Sequence, residues 1–478
     1  MQPITLPVAE LKSALAGLGK VINAKATLPV LHHLKVERTA DGWIALTGTD
    51  LDRFVTMRLE HPAAGPPATM LLPYDQLAQV VKNCGRGETI EVEASPEASI
   101  IRFPLGNEFG ESKLTFVAPE EFPVTPRLQA DAVPLPAAVR ESILEAMDCD
   151  SIDSSRYVLN GTFIDTCNPK ANYIVGTDGK HLYSANSFAL PLKHSLILPN
   201  HKFLGWREFN ADGEWQFKAD DKHVQLSSRR WRFIAKQIEG NYPDWRVTIP
   251  NPNAAKTHIT IAPAKLDTLI RLIQRMPCHD ERLFCIGLEW RQGQFLLLGK
   301  DSHAEPWLRV PVPDVQATGP EITIFVNRKL LIKALHYGLN TISLMDQAAP
   351  LRFHSQGRQM IVMQLRAVEG SPQEAAKPAP APVTLPPSRP VPPPTPPQPT
   401  TPMITTPNSE GPTANDSKSA LEEAIDLTLQ IRDKFTDGFN LLRDLSLKLK
   451  SIHREHKTSS KEFNSVRYTL RTLQGLKL

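Results

Sequence analysis

The hexapeptide GTDGKH at 176–181 sets Asp178 three residues before His181. A carboxylate and an imidazole at that spacing could serve as a general base or as two metal ligands. The groups either chemistry would also need are missing nearby. No serine or cysteine nucleophile adjoins the pair, no second histidine stands at ligand spacing, and no glycine loop of the phosphate-cradling kind is present. The better reading is a turn in which Asp178 accepts backbone N–H groups and Gly179 adopts positive φ. The five cysteines, at 84, 149, 167, 278 and 285, form no C-x-x-C pair and are read as reduced, buried small hydrophobes. No catalytic residue, metal or cofactor is expected.

Charge is the second chemistry. Lys12, Lys20, Lys82, Arg86, Arg140, Lys202, Arg207, Lys265, Arg271, Arg275, Arg328, Lys329 and Lys333 lie in or beside segments of helical apolar spacing. On one surface they would make a positive face for phosphate backbone, with no base readout. The net charge is only +3, so any nucleic-acid face must come from local concentration rather than bulk charge.

The elements that position these residues repeat. LPVAELKSALAGL from Leu6, LPAAVRESILEAM from Leu135 and IAPAKLDTLIRLI from Ile261 each pair a proline with helical spacing. Second helices are expected in LLPYDQLAQVV from Leu71, ILPNHKFLGWR from Ile197 and IFVNRKLLIKAL from Ile324. Asp-bearing turns recur at Asp50, Asp178 and Asp301. The series steps by about 125–130 residues, the size of one ordinary domain. The chain is therefore α+β, with three similar domains over 1–126, 127–249 and 250–370, each with two helices packed on antiparallel sheet. No apolar run approaches a membrane span and the N-terminus has no signal-cleavage pattern, so a cytoplasmic protein is expected.

Residues 371–416 are dominated by Pro, Ala and Thr, a composition that forms no core and reads as a disordered spacer. Extended as polyproline II it would reach on the order of 100 Å. Residues 417–478 regain an apolar stripe, Ile425, Leu429, Phe435, Phe439, Leu442, Leu445, Leu449 and Ile452, with a basic end. They are expected to form a helical hairpin or coiled coil, an interaction arm or a second DNA contact.

One stretch asks for more than a connecting role. IEGNYPDWRVTIP, at 238–250, carries two aromatics, prolines and an Asp–Arg pair between two repeats. With LTGTDLDRF (46–54), DSSRYVLNGTFID (153–165), IVGTDGKHLYSAN (174–186) and QMIVMQLR (359–366), it resembles the bacterial DNA polymerase III beta subunit, the sliding clamp, over residues 1–367. The resemblance implies the DNA clamp fold and a head-to-tail homodimeric ring that encircles duplex DNA. It implies a non-catalytic processivity factor that tethers DNA polymerase, repair polymerases and ligase, and that an ATP-driven clamp loader places on DNA.

It also implies a partner-peptide pocket between the second and third domains. From the second domain come Leu159, Thr177, Gly179, Lys180, His181 and Leu182; from the connecting stretch, Pro243, Val247 and Thr248. From the last segment come Ile361, Val362, Met363, Gln364 and Leu365, with Arg366 at the edge. Lys25, Arg156, Tyr157, His201 and Lys202 are the implied DNA-facing positions. The chain departs from the family at Val247, where a second arginine is usual, and at Gln364, where proline is. Pro277 and Cys278 stand near apolar subunit-contact positions, and Asp75 where a basic residue is common. These departures leave a second possibility, a clamp-like scaffold that recruits partners through its tail without closing a ring.

Overall fold

The computed structural model describes residues 2–365, apart from 96, 107, 169, 171, 189, 191, 281 and 303 and the side chains of 187 and 188. Residues 366–478, which include Arg366, the proline-rich spacer and the expected helical tail, lie outside the described residues.

The first domain runs β1 (Ile4–Pro7), α1 (Val8–Leu18), β2 (His33–Arg38), β3 (Ile44–Thr49), β4 (Arg53–Arg58), β5 (Ala68–Pro73), α2 (Tyr74–Asn83), β6 (Thr89–Ala94), β7 (Ala98–Leu105) and β8 (Glu108–Thr115). The second runs β9 (Val133–Leu135), α3 (Ala137–Cys149), β10 (Gly161–Asp165), β11 (Asn172–Thr177), β12 (His181–Phe188), β13 (Leu196–Pro199), α4 (Arg207–Ala211), β14 (Trp215–Ala219), β15 (His223–Ser227) and β16 (Trp231–Lys236). The third runs β17 (Thr257–Ile261), α5 (Leu266–Arg275), β18 (Cys285–Arg291), β19 (Gln294–Gly299), β20 (Leu308–Val312), β21 (Val315–Thr318), β22 (Ile322–Asn327), α6 (Arg328–His336), β23 (Thr341–Leu344), β24 (Leu351–Ser355) and β25 (Arg358–Val362). The order strand, helix, four strands, helix, three strands occurs three times, with β21 as the one addition.

Local chemistry sets the helix starts. Pro7, Pro73 and Pro136 are the last extended residues before α1, α2 and α3, where a fixed φ suits the entry and the missing N–H costs nothing. Asn327 caps α6, its side-chain oxygen accepting from Lys329 N–H at 2.8 Å and Leu330 N–H at 3.3 Å. The second helix of the second domain departs from the sequence expectation. Ile197 lies in β13, and helix begins only at Arg207 and lasts five residues. Phe203, Phe209 and Trp215 are fully buried there, so aromatic packing after Pro199 and Gly205 takes precedence over regular helix. The Asp301 segment also differs. β19 ends at Gly299 and β20 starts only at Leu308, so it is a longer loop and not the tight turn of Asp50 and Asp178.

Sheets cross the domain boundaries. β4 pairs with β16 through five residue pairs, from Trp231–Met57 to Ala235–Arg53, giving the eight-stranded sheet β5-β2-β3-β4-β16-β15-β14-β9. β12 pairs with β25 through five more, from His181–Val362 to Ala185–Arg358, giving the nine-stranded sheet β13-β10-β11-β12-β25-β24-β23-β17-β21. In both cases the fourth strand of one domain meets the last strand of the next. The remaining four-stranded sheets, β1-β6-β7-β8 and β20-β19-β18-β22, end on β1 and β8 and on β20 and β22; among the described residues the last strand of the first domain, β8, and the fourth of the third, β20, have no neighbour beyond the sheet.

The helices form one connected row. Lys12 Nζ of α1 donates to Cys84 O after α2 at 2.7 Å, and Ser13 Oγ of α1 donates to Glu208 of α4 at 2.5 Å. Arg140 of α3 donates to Asn210 O of α4 at 3.1 Å, and Lys333 of α6 lies 3.2 Å from Asp148 of α3. Arg328 of α6 donates to Met276 O just past α5 at 2.7 Å. The row therefore reads α2, α1, α4, α3, α6, α5. The apolar cores of the first two domains merge into one cluster, and the third has its own; Tyr337 packs against both.

Candidate functional site

A largely apolar cleft lies at the junction of the second and third domains, where the β12–β25 ladder joins them. Its floor is Leu182 from β12, Ile361 from β25 and Leu159 from the short turn Ser154–Leu159, all at least nine-tenths buried. One rim is the β11–β12 turn. Asp178 accepts from Lys180 N–H at 2.8 Å and His181 N–H at 3.0 Å, Thr177 Oγ1 donates to His181 O at 2.6 Å, and Gly179 has φ of 83°. His181 Nδ1 sits 2.8 Å from Asp178 Oδ1. Burial alone would raise the Asp178 carboxyl, but the His181 hydrogen bonds and charge outweigh it and hold it at about 2. The Asp–His pair thus holds a turn, as the sequence suggests. Behind it β11 passes so close to α3 that a Cβ on Gly176 would fall 2.0 Å from Ala146 O.

The opposite wall is the stretch 242–250. Trp245 is buried, and its indole N–H donates to Asp165 Oδ2 at 3.0 Å. Arg246 lies 2.7 Å from the same oxygen and stacks over Trp245 and Tyr173, 4.6 and 5.6 Å from the ring centroids. Burial opposes ionisation of Asp165, yet the Cys167 N–H, the Trp245 indole and the Arg246 charge hold its carboxyl below the usual range. Tyr242 stacks on Phe163 with centroids 4.6 Å apart. With Tyr242 and Trp245 anchored inward, Pro243, Val247 and Thr248 face the opening, and Val247 is 78% exposed. Tyr242, Trp245 and the Arg246–Asp165 ion pair fasten the connection to the second domain so that it can serve as a wall.

The cleft holds about 510 Å³, a size suited to a few side chains of a peptide or a small ligand. Leu159, Thr177, Gly179, Lys180, His181, Leu182, Pro243, Val247, Thr248, Ile361 and Met363 all line it. Three other expected residues do not. Val362 points to the opposite face of β25 and is fully buried in the third-domain core, as strand alternation requires. Gln364 instead donates to Asp346 O at 2.8 Å and Ala349 O at 2.6 Å, bracing the loop that forms the far wall. Leu365 packs with Cys285, Leu298, Trp307 and Phe325. The residues missed from sequence are Tyr242, Asp244 and Trp245 of the wall, Ile249, Pro250 and Asn251 at its end, and Met345, Ala349 and Pro350 from the far loop.

The residues expected to face DNA fall in two places. Tyr157, His201 and Lys202 line a groove of about 980 Å³ between the first two domains, together with Lys20, Arg53 and Lys236. Lys25 and Arg156 are exposed beyond it, Arg156 reaching back to Asp178 O at 3.5 Å. His201 differs from a phosphate contact. Its ring stacks on Phe233, centroids 5.7 Å apart, and burial, with Arg53 and Lys202 nearby, pushes it down to about 4, so it is neutral at pH 7. Of the helix cations, Lys12, Arg140, Lys265, Arg328 and Lys333 are engaged by protein carbonyls or carboxylates. Lys82, Arg86, Arg207, Arg271 and Arg275 are exposed and carry no ion pair among the described residues. Cys167 is exposed and Cys278 partly so; only Cys84, Cys149 and Cys285 are buried as expected. No helix among the described residues is long and apolar enough to cross a membrane.

No family model matches the chain. It resembles curated beta sliding clamps at low identity: 25% over 242 residues for that of Escherichia coli K12, covering 48% of this chain and 64% of the relative. The Haemophilus influenzae beta sliding clamp is 21% identical over 328 residues, covering 66% of this chain and 85% of the relative. The match to the Escherichia coli protein thus spans just under two thirds of that relative's length. Among solved structures, the DNA polymerase III subunit beta of Pseudomonas aeruginosa superposes with a TM-score of 0.65 at 19% identity, over 76% of this chain and all of that one. A DNA polymerase sliding clamp of Bacillus subtilis gives 0.66 at 18%, over 77% and 99%. A second Pseudomonas aeruginosa sliding clamp structure, with griselimycin bound, also gives 0.66. The fold is the sliding-clamp fold, in a divergent sequence.

Proposed function

We propose that this chain is a DNA sliding clamp, a non-catalytic processivity factor that closes as a head-to-tail dimer around duplex DNA and tethers a DNA polymerase. The observation that carries the reading is the pattern of seams. Twice within the chain the fourth strand of one domain pairs with the last strand of the next, which leaves β20 and β8 as the unpaired fourth and last strands. A second copy offers the same two edges, and pairing β20 with its β8 repeats the geometry and uses both ends. Bare edges of this kind invite strand addition, and the exposed Leu105, Phe109 and Leu308 beside them favour burial.

The helix row then lines the interior. Non-specific phosphate contacts alone hold DNA at roughly 10⁻⁴–10⁻⁶ M at physiological salt. A closed ring replaces affinity with topology, so the protein slides without leaving. In this reading the cleft of about 510 Å³ takes short apolar segments of polymerase, repair polymerases and ligase, one set per copy, and an ATP-driven loader opens the ring. Met363, half-exposed and flexible, suits several partners. Such a role is exercised in the cytoplasm. The test is the sedimentation mass of the full chain across concentration, followed by retention on circular against linearised DNA. A dimer that stays on circles and runs off linear ends is expected. A chain that is monomeric throughout overturns the ring and leaves a clamp-like scaffold.

A further inference from the structure

The two seams inside the chain are closed on the helix side by interactions the third seam lacks. Between α3 and α6, Lys333 pairs with Asp148 at 3.2 Å, Tyr337 donates to Asp148 at 2.6 Å, and Arg358 pairs with the buried Glu145 at 2.9 Å. Between α1 and α4, Ser13 donates to Glu208, and the Trp206 ring lies against Gly17 with Lys20 above it.

Repeating this arrangement brings α5 of one copy against α2 of the other. Aligned on their buried faces, Leu266, Leu269, Ile270 and Ile273 of α5 match Val139, Ser142, Ile143 and Ala146 of α3. Arg275 then occupies the place of Asp148, and Leu272 that of Glu145. Aligned likewise, Leu77 and Val81 of α2 match Leu331 and Leu335 of α6, so Gln79 and Asn83 stand where Lys333 and Tyr337 do. Both acids and the facing lysine are gone. Arg271, one turn before Arg275, and Lys82 and Arg86 beside Asn83, are all exposed and carry no ion pair among the described residues. Two of these cations sit in last helical turns, where the half-charges of two C-termini balance only part of four positive charges. The acids beside these segments among the described residues are engaged or remote: Glu88 accepts from Gly85 N–H at 2.6 Å, Asp280 accepts from Arg282 and Leu283 N–H at 2.9 and 2.8 Å, and Asp75 and Asp267 lie in the first turns, at the far ends of their helices.

We infer that each closing junction is a phosphate-binding site assembled from both copies, Arg271 and Arg275 of one with Lys82 and Arg86 of the other, and that duplex DNA inside the ring tightens its closure. The inference rests on the ring reading above and adds to it: the junction repels itself when empty and is neutralised by backbone phosphate, which releases counterions. The middle of the helix row sets the exposed acids Glu141, Asp148 and Glu208 beside its exposed cation Arg207, so it concentrates less positive charge than the closing junction.

The experiment measures the dimer dissociation constant of the full chain by sedimentation, at low and at moderate salt, with and without a short blunt duplex. The duplex is expected to lower that constant by at least about tenfold at low salt, with the gain shrinking as salt rises. R271Q/R275Q is expected to abolish the gain, and R271K/R275K to keep it. These are exposed, charge-only changes, and the circular dichroism melt of each variant reports whether the fold survives. A dimer indifferent to duplex, or a gain that persists in R271Q/R275Q, overturns the junction site and leaves the ring standing. A chain monomeric under every condition overturns both.

Discussion

Asp165 and Trp245, eighty residues apart, meet through a 3.0 Å hydrogen bond from the indole N–H to a carboxylate that is 1% exposed. The same carboxylate holds Arg246, so one side chain on β10 fixes both residues at the turn of the 242–250 wall. Replacing Asp165 by Ala would leave a buried indole N–H and a stacked guanidinium without their acceptor. The expected loss is about 2–3 kcal/mol of stability, below the cost of breaking a fully buried pair because Arg246 is partly exposed. Denaturant unfolding of the full chain measures it. Peptide capture should weaken alongside, since Pro243 and Val247 lose their anchor.

Val247 and Met363 reach into the cleft from opposite walls, 78% and 52% exposed. Their replacement by Asp should leave folding within about 0.5 kcal/mol, as exposed substitutions usually do. Binding of a short peptide with two apolar anchors should fall at least about tenfold, or 1.4 kcal/mol. Calorimetric titration at matched salt checks this, and unchanged affinity in M363D would remove the cleft as the partner site.

His201 gives acid sensitivity of definite sign. Its folded pKa is about 4 against an ordinary 6.5, so between those values the unfolded chain binds the extra proton. Stability from this residue is complete above about pH 6.5 and is lost as pH falls toward 4, in total about 3 kcal/mol. Asp178, held at about 2 by His181, acts in a lower window, below its ordinary 3.8, and does not confuse the measurement. Unfolding midpoints from pH 7.5 to 4.5 should slope in the native chain and slope less in H201Q, where His354, also lowered by burial, still contributes. An equal slope in both would contradict the assignment.

Phe109, on the bare strand β8, is 78% exposed. Phe109→Glu removes apolar surface and adds charge at the edge proposed to meet β20. Dimer dissociation should rise at least about tenfold, with the monomer melting temperature unchanged. Sedimentation at several concentrations distinguishes this from unfolding.

Much of this was legible in sequence, and the failures have physical causes. Proline before an apolar period located the first helix of every domain, and the Asp178–Gly179 turn followed from residue chemistry alone. The second helix of the middle domain was not legible, because Phe203, Phe209 and Trp215 pack where helical spacing alone would continue the helix from Pro199. Within 361–365 the residues were read as one block. The strand puts Ile361 and Val362 on opposite faces, and the chain beyond turns Gln364 into a brace. Asp165 carried no local signal, since its partners lie a third of a domain pair away in sequence and adjacent only in space. The far wall at Met345–Pro350 was invisible for the same reason.

The ladders that join β4 to β16 and β12 to β25 have a mechanical consequence. Parting either one strands backbone donors and acceptors along five residue pairs and also tears open packed side chains, all at once. In the dimeric ring proposed above, the seam expected to give way first is therefore the one between β20 of one copy and β8 of the other, so its hinge would lie outside any single polypeptide.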